Sequence, residues 1–138
     1  MLNSDIYSAV LHEFPLTLIL CDNGGYAVIS RLQIGNGAVS FRTMINENPN
    51  APRVDFAAHA SSMGAETYRV TSTKELASKL DETRGSKRVV VIVLETAPNT
   101  WTEGGAFWEV GVPESSNKPA VNQARAALNE GKKTQRIF

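Results

Sequence analysis

The stretch "LILCDNGGYAVISRLQ", residues 18–33, decides how this chain folds. An apolar run ends in Cys21, Asp22 and Asn23, two glycines follow, and a second amphipathic segment begins at Tyr26. Asn-Gly between two apolar segments is the strongest short-range signal for a β-hairpin. Tyr26, Val28, Leu32 and Ile34 fit strand alternation except at Ser30. Val28, Ile29 and Leu32 fit one face of a helix equally well, so spacing alone leaves both readings open. The second reading has chemistry attached. In an open parallel sheet, ligands bind beyond the carboxyl ends of the strands. A helix starting there presents N–H groups and a positive dipole end to an anion. Glycines let backbone approach closely, and an asparagine oxygen is a hard neutral ligand suited to Mg²⁺.

Outward from the turn, "NSDIYSAVLHEF" opens on the capping-type residues Asn3 and Ser4. Ile6, Tyr7, Val10, Leu11 and Phe14 then recur at helical spacing until Pro15 closes the helix. "LTLIL" reads as a strand buried on both faces. After the segment 26–33, ended by Gly35 and Gly37, residues 36–54 form a long loop broken by Pro49 and Pro52. Asp55 N-caps a helix that Gly64 stops, and "ETYRV" is a short strand. Ser72 with Glu75 forms a capping box at the start of a helix terminated by Gly85. "RVVVIVLE" is the strongest strand. A turn-rich stretch follows, then a last helix over 119–129 with Val121, Ala124 and Leu128 on one side. This alternation predicts an α/β, doubly wound, mainly parallel sheet with helices on both faces. One feature is odd for that class: the chain opens on a helix with no strand before it.

The 138 residues suit a single domain, 42% hydrophobic and 20% charged. Formal net charge is +0, from 14 basic and 14 acidic residues, and the pI is near 6.7. No nucleic-acid or anionic-membrane partner is expected, and zero net charge favours self-association. A single cysteine permits neither an internal disulfide nor a cysteine-cluster metal site. The apolar runs are too short to span a bilayer and no secretory leader opens the chain, so a soluble cytoplasmic protein is expected.

Several residues invite functional claims but have simpler readings. His59 lies on a short helix without metal-ligand spacing around it. His12 suits the negative end of a helix dipole. Cys21, ending a strand, is expected in the core. Trp101, Phe107 and Trp108 flank Gly104-Gly105 and are read as covering a core or interface, with a mobile substrate-side lid as the alternative. Lys132, Lys133 and Arg136 are expected in a solvated tail.

The stretch "NSDIYSAVLHEFPLTLILCDNGGYAVISRLQ" resembles the thiamine-diphosphate-binding domain of the decarboxylase and acetolactate-synthase superfamily. There a Gly-Asp-Gly turn is followed by a helix, a Pro-led strand and an Asn-Asn turn, and Asp22-Asn23 stands where that pair sits. "DFAAHASSMGAETYRV" resembles a later part of the same domain. "GGAFWEVGVPE" and "QRIF" are similar to one branch, the hydrolases (acylhydrolases) that open a cyclic 1,2-dione in inositol breakdown. The resemblance implies thiamine diphosphate and Mg²⁺ as cofactors. Asn23 would give the metal its side-chain oxygen and Gly25 its backbone carbonyl, with Gly24 and Tyr26 along the diphosphate. Asp22 departs from the usual asparagine, and a carboxylate there would repel the diphosphate unless something compensates it.

The resemblance also accounts for the opening helix. The family's first strand and Gly-Asp-Gly turn come just before the segment matched by residues 1–4. Residues 1–138 are then a single partial, N-terminally truncated domain, without the metal's charged ligand. The glutamate that activates the cofactor belongs to an absent domain facing it from a partner subunit, so no catalytic residue is assigned here. The expected partners are the missing N-terminal domains, a second copy of the chain and a small-molecule substrate. By itself the chain is expected to bind cofactor weakly and turn nothing over. The alternatives are another thiamine-dependent decarboxylase or acetolactate-synthase-like enzyme, an interaction module that kept the fold and lost the chemistry, and a flavodoxin-like phosphate-binding domain.

Overall fold

The computed structural model describes residues 3–100 and 111–135. In chain order the elements are α1 (Ser4–Leu11), β1 (Leu16–Asp22), α2 (Ala27–Gly35), α3 (Phe56–Ser62), β2 (Glu66–Val70), α4 (Thr73–Glu82), β3 (Val89–Glu95) and α5 (Pro119–Thr134). The described residues form two compact units. One holds those up to Asn23 together with Pro52–Ala97, and the other holds Gly24–Ala51 with those from Pro98 onward.

The first unit is built on a parallel sheet in the order β1-β3-β2. β3 pairs with both neighbours, Leu18 opposite Val91 on one side and Tyr68 opposite Ile92 on the other. Its unbroken β-branched run suits the centre, where both faces are covered, and Val90 and Ile92 are fully buried. Val89, Val91 and Val93 face one way, against Ala9 of α1 and Ala57 and Ala60 of α3, with Ile6, Val10, Leu18 and Leu20 around them. Val90 and Ile92 face the other way, against Val70, Tyr68, and Leu76 and Leu80 of α4. Helices thus cover both faces of a parallel sheet, as the alternation predicts.

Two local expectations are corrected. β1 is not buried on both faces: Ile19 is 46% exposed and Cys21 is exposed rather than in the core. The strand lies at the sheet's edge, and no β1 residue joins the cluster under α4. α1 stops at Leu11, short of Phe14, and Glu13 takes a left-handed φ of 55°. Its apolar stripe consequently divides. Ile6 and Val10 join the core, whereas Tyr7, Leu11 and Phe14 stay exposed. The predicted caps of α3 and α4 are present: Asp55 accepts the Ala58 N–H at 2.8 Å, and Ser72 accepts that of Glu75 at 3.2 Å. Glu75 reaches back to the Thr71 N–H at 2.8 Å.

The second unit contains α2, α5 and the 36–51 part of the loop, which holds one short helical turn, Ile45–Glu47. Residues 27–35 are helical, so the Asn-Gly pair is a strand-to-helix turn and not a hairpin. α5 runs to Thr134, beyond the expected 129. Pro119 sits in its first turn, where a missing N–H costs nothing, and Val121 is buried. Lys132 and Lys133 therefore lie in a helix and not in a tail. Among the described residues, no helix is long and apolar enough to cross a membrane.

Candidate functional site

In the first unit a cleft of about 450 Å³ opens at the carboxyl ends of the three parallel strands, lined by Asp22, Arg53, Asp55, Arg69, Thr71 and Glu95 among others. Asp22 and Glu95 end β1 and β3 as register partners, which sets two carboxylates side by side. Like charges so placed destabilise a sheet. The Arg53 guanidinium answers both, with Nη2 at 3.1 Å from Glu95 Oε1 and 3.7 Å from Asp22 Oδ2. The Asp22 side chain is only 12% exposed. The Thr96 N–H donates to the Asp22 carbonyl at 2.8 Å and ties the same strand ends together. Arg69 pairs with Asp55. The Ala58 amide and then Arg69 hold the Asp55 carboxyl below the usual carboxylate range. Sequence reading missed Arg53, Arg69 and Glu95 as neighbours, because only the strand register brings positions so far apart in the chain together.

The predicted turn follows directly. Asn23, half-buried, is the last residue of the first unit. In the second unit Gly24 and Gly25 take φ of 74° and 154°. The Gly24 carbonyl accepts the Ile45 N–H at 2.9 Å, and the Tyr26 N–H donates to the Thr43 carbonyl at 2.8 Å. Gly25 and Met44 form an antiparallel bridge between those bonds. A Cβ on Gly25 would come 2.4 Å from the Thr43 oxygen, so the packed loop requires glycine here whether or not a ligand binds. The loop is fixed in turn by hydroxyls: Ser30 to Ser40 at 3.1 Å and Ser40 to Thr43 at 3.1 Å. Glu47 accepts the Met44 N–H at 3.2 Å. Its hydrogen bond with Ser40, then that with Met44, lower its pKa. α2 itself starts with no side-chain cap and no acid in its first turn, and the Tyr26 side chain is 74% exposed.

These features bear on a metal and a phosphate in a specific way. Among the described residues no group of three or more His, Cys, Asp or Glu side chains is placed to hold a metal. A cation at the turn would rely on neutral oxygens, the Asn23 side chain and the Gly25 carbonyl. Mg²⁺ accepts such donors when phosphate oxygens and water complete its octahedron. By their chemistry these are two hard oxygen donors of the kind Mg²⁺ takes. The Tyr26 backbone N–H is engaged by the loop, and the residue is otherwise exposed. His59 is exposed in the last turn of α3, and His12 ends α1 with its ring 6.0 Å from that of Phe14. Trp101, Gly104, Gly105, Phe107, Trp108 and Arg136 lie outside the described residues.

Residues 1–94 match the family model described as "Thiamine pyrophosphate enzyme, C-terminal TPP binding domain". Among curated relatives, the 3D-(3,5/4)-trihydroxycyclohexane-1,2-dione hydrolase of Listeria monocytogenes serotype 4b is 30% identical over 140 residues, covering 100% of this chain and 22% of that protein. The similarly named hydrolase 2 of Bacillus cereus is 35% identical over 133 residues, 90% of this chain and 21% of its own length. The Bacillus subtilis hydrolase is 33% identical over 132 residues, 92% and 20% respectively. The chain thus spans about a fifth of the length of these relatives. No solved structure matches it.

Proposed function

This chain belongs to the thiamine pyrophosphate enzyme family, in its C-terminal TPP-binding domain, and on that premise we propose that residues 23–26 form part of the site for the cofactor's diphosphate and a Mg²⁺ ion. The longer enzyme would hydrolyse a cyclic 1,2-dione, as the names of the relatives reported above say of them, by cleaving a carbon–carbon bond. One observation carries the reading of the turn: Asn23 directly follows a parallel strand at its carboxyl end and precedes a helix whose start has no side-chain cap. Asn23 would hold the metal through its amide oxygen and Gly25 through its carbonyl, with Gly24 and Tyr26 beside the phosphates. When bound, thiamine diphosphate supplies the carbon nucleophile and the electron sink for such a cleavage. The remaining domains of the longer enzyme and a second copy of the chain, in the cytoplasm, are the partners on this reading.

These 138 residues contain no Gly-Asp-Gly. A metal held by neutral oxygens surrenders its water reluctantly, so the chain alone should bind weakly, with a dissociation constant of about 1 mM or above. The test is a titration of the ¹⁵N-labelled chain with thiamine diphosphate, with and without Mg²⁺. Amide signals of residues 23–26 should move only when Mg²⁺ is present, and Asn23→Ala should abolish the movement. Shifts confined elsewhere, or a response without Mg²⁺, would overturn the assignment; micromolar affinity would overturn the account of the metal shell.

A further inference from the structure

We propose that Arg53 is a positioning residue for this turn: it neutralises Asp22 and Glu95 so that the strand ends can receive a polyanion. The inference rests on the diphosphate reading of residues 23–26. Asp22 immediately precedes Asn23, and its carboxylate is mostly buried. Its ladder partner Glu95 adds a second negative charge at the same end of the sheet. A diphosphate approaching that edge meets two carboxylates, and the guanidinium of Arg53 is the cation both of them share. The other arginine of the cleft, Arg69, is paired with Asp55.

The placement of Arg53 is not left to a floppy loop. It follows Pro52, whose ring fixes φ, and lies two residues before Asp55, whose side chain is bonded to the first turn of α3. The guanidinium is still 60% exposed, so its ion pairs contribute little to folding. Its effect on an arriving polyanion is larger, because each unit of charge near the site acts on every phosphate charge. One unit charge beside a largely solvated site changes affinity for a singly charged ligand roughly five- to tenfold.

The magnesium–thiamine diphosphate titration, applied to four variants, tests this. Arg53→Gln should weaken binding roughly five- to tenfold while leaving the urea midpoint nearly unchanged. Asp22→Asn should tighten it by a similar factor, and the double variant should return close to wild type. Arg84→Gln, which breaks the exposed Arg84–Asp81 pair on α4's far end, should leave affinity unaltered. A merely structural role for Arg53 would move the midpoint and would not be rescued by Asp22→Asn. Arg53→Gln binding as tightly as wild type, or Asp22→Asn binding more weakly, overturns the proposal while leaving the turn assignment standing. No signal movement at residues 23–26 in the wild-type chain removes the turn assignment and this proposal together.

Discussion

Replacing Gly25 by alanine tests whether the turn is held by the loop packed against it. The new Cβ would lie 2.4 Å from the Thr43 carbonyl oxygen and 2.9 Å from Met44 Cα, both backbone atoms that cannot swing aside. The φ of 154° adds a penalty of about 1–2 kcal/mol for a residue with a side chain. Relief of the clash requires the 43–45 segment to move away. That breaks the Ile45-to-Gly24 and Tyr26-to-Thr43 hydrogen bonds, each worth about 1 kcal/mol net. The total loss is about 3–4 kcal/mol, a large share of a typical domain's 5–15 kcal/mol or so. Gly24→Ala supplies the internal control. Its φ of 74° carries the same penalty, but its Cβ would meet only Ile45 Cγ2 at an ordinary 3.7 Å, so about 1–2 kcal/mol is expected. Gly35→Ala should go the other way, gaining about 0.5–1 kcal/mol, because its Cβ meets nothing within 4 Å and alanine favours the helix. Urea unfolding followed by far-ultraviolet circular dichroism ranks the three. If Gly25→Ala costs no more than Gly24→Ala, close approach of the loop is not what requires glycine at position 25.

Three further outcomes are expected. Ile92→Ala, at a fully buried central position, should cost about 3–4 kcal/mol, and Ile19→Ala on the open face of β1 under about 1 kcal/mol; equal losses in urea unfolding would refute the edge position of β1. Asp55, Glu47 and Glu75 all hold folded-state pKa values below the ordinary range, so the unfolded chain takes up protons first as pH falls. Their stabilisation is complete above about pH 5 and is lost as pH drops below about 4 through the lower folded values; Asp55→Asn should flatten that fall, and an unchanged slope would contradict the capping account. Cys21, exposed on β1, should react with a thiol reagent in the native chain, and a requirement for urea before it reacts would refute its exposure.

How much of this was legible in the sequence depends on how local each signal is. The Val89–Glu95 run names itself as the central strand because only a position covered on both faces tolerates so many branched apolar residues. Asp55 and Ser72 were readable as caps because a cap needs only a side chain and an N–H three residues on. "LTLIL" carried the same apolar signal as β3, yet it lies at an edge, since composition does not record which strands are neighbours. Spacing alone left hairpin and helix open after Asn23; residues 27–35 are helical, and Gly25 pairs instead with Met44 of the distant loop. The Asp22–Arg53–Glu95 group was invisible for the same reason, since its members meet only once β1 and β3 are in register.

The turn also shows which of its residues can speak for a ligand. Gly24 and Gly25 cannot, because their positive φ values and the Thr43 contact require glycine without any phosphate present. Asn23 differs. Glu13 and Arg42 are the described non-glycine residues at positive φ, so the backbone at position 23 does not demand the left-handed tolerance for which asparagine is often selected. Backbone conformation alone therefore does not select the residue type at position 23. At Asp22 the strand register sets a second carboxylate, Glu95, directly opposite, with Arg53 between them. On the proposed reading, the amide of Asn23 and the charge balance around Asp22 are therefore the features to vary first, ahead of the two glycines.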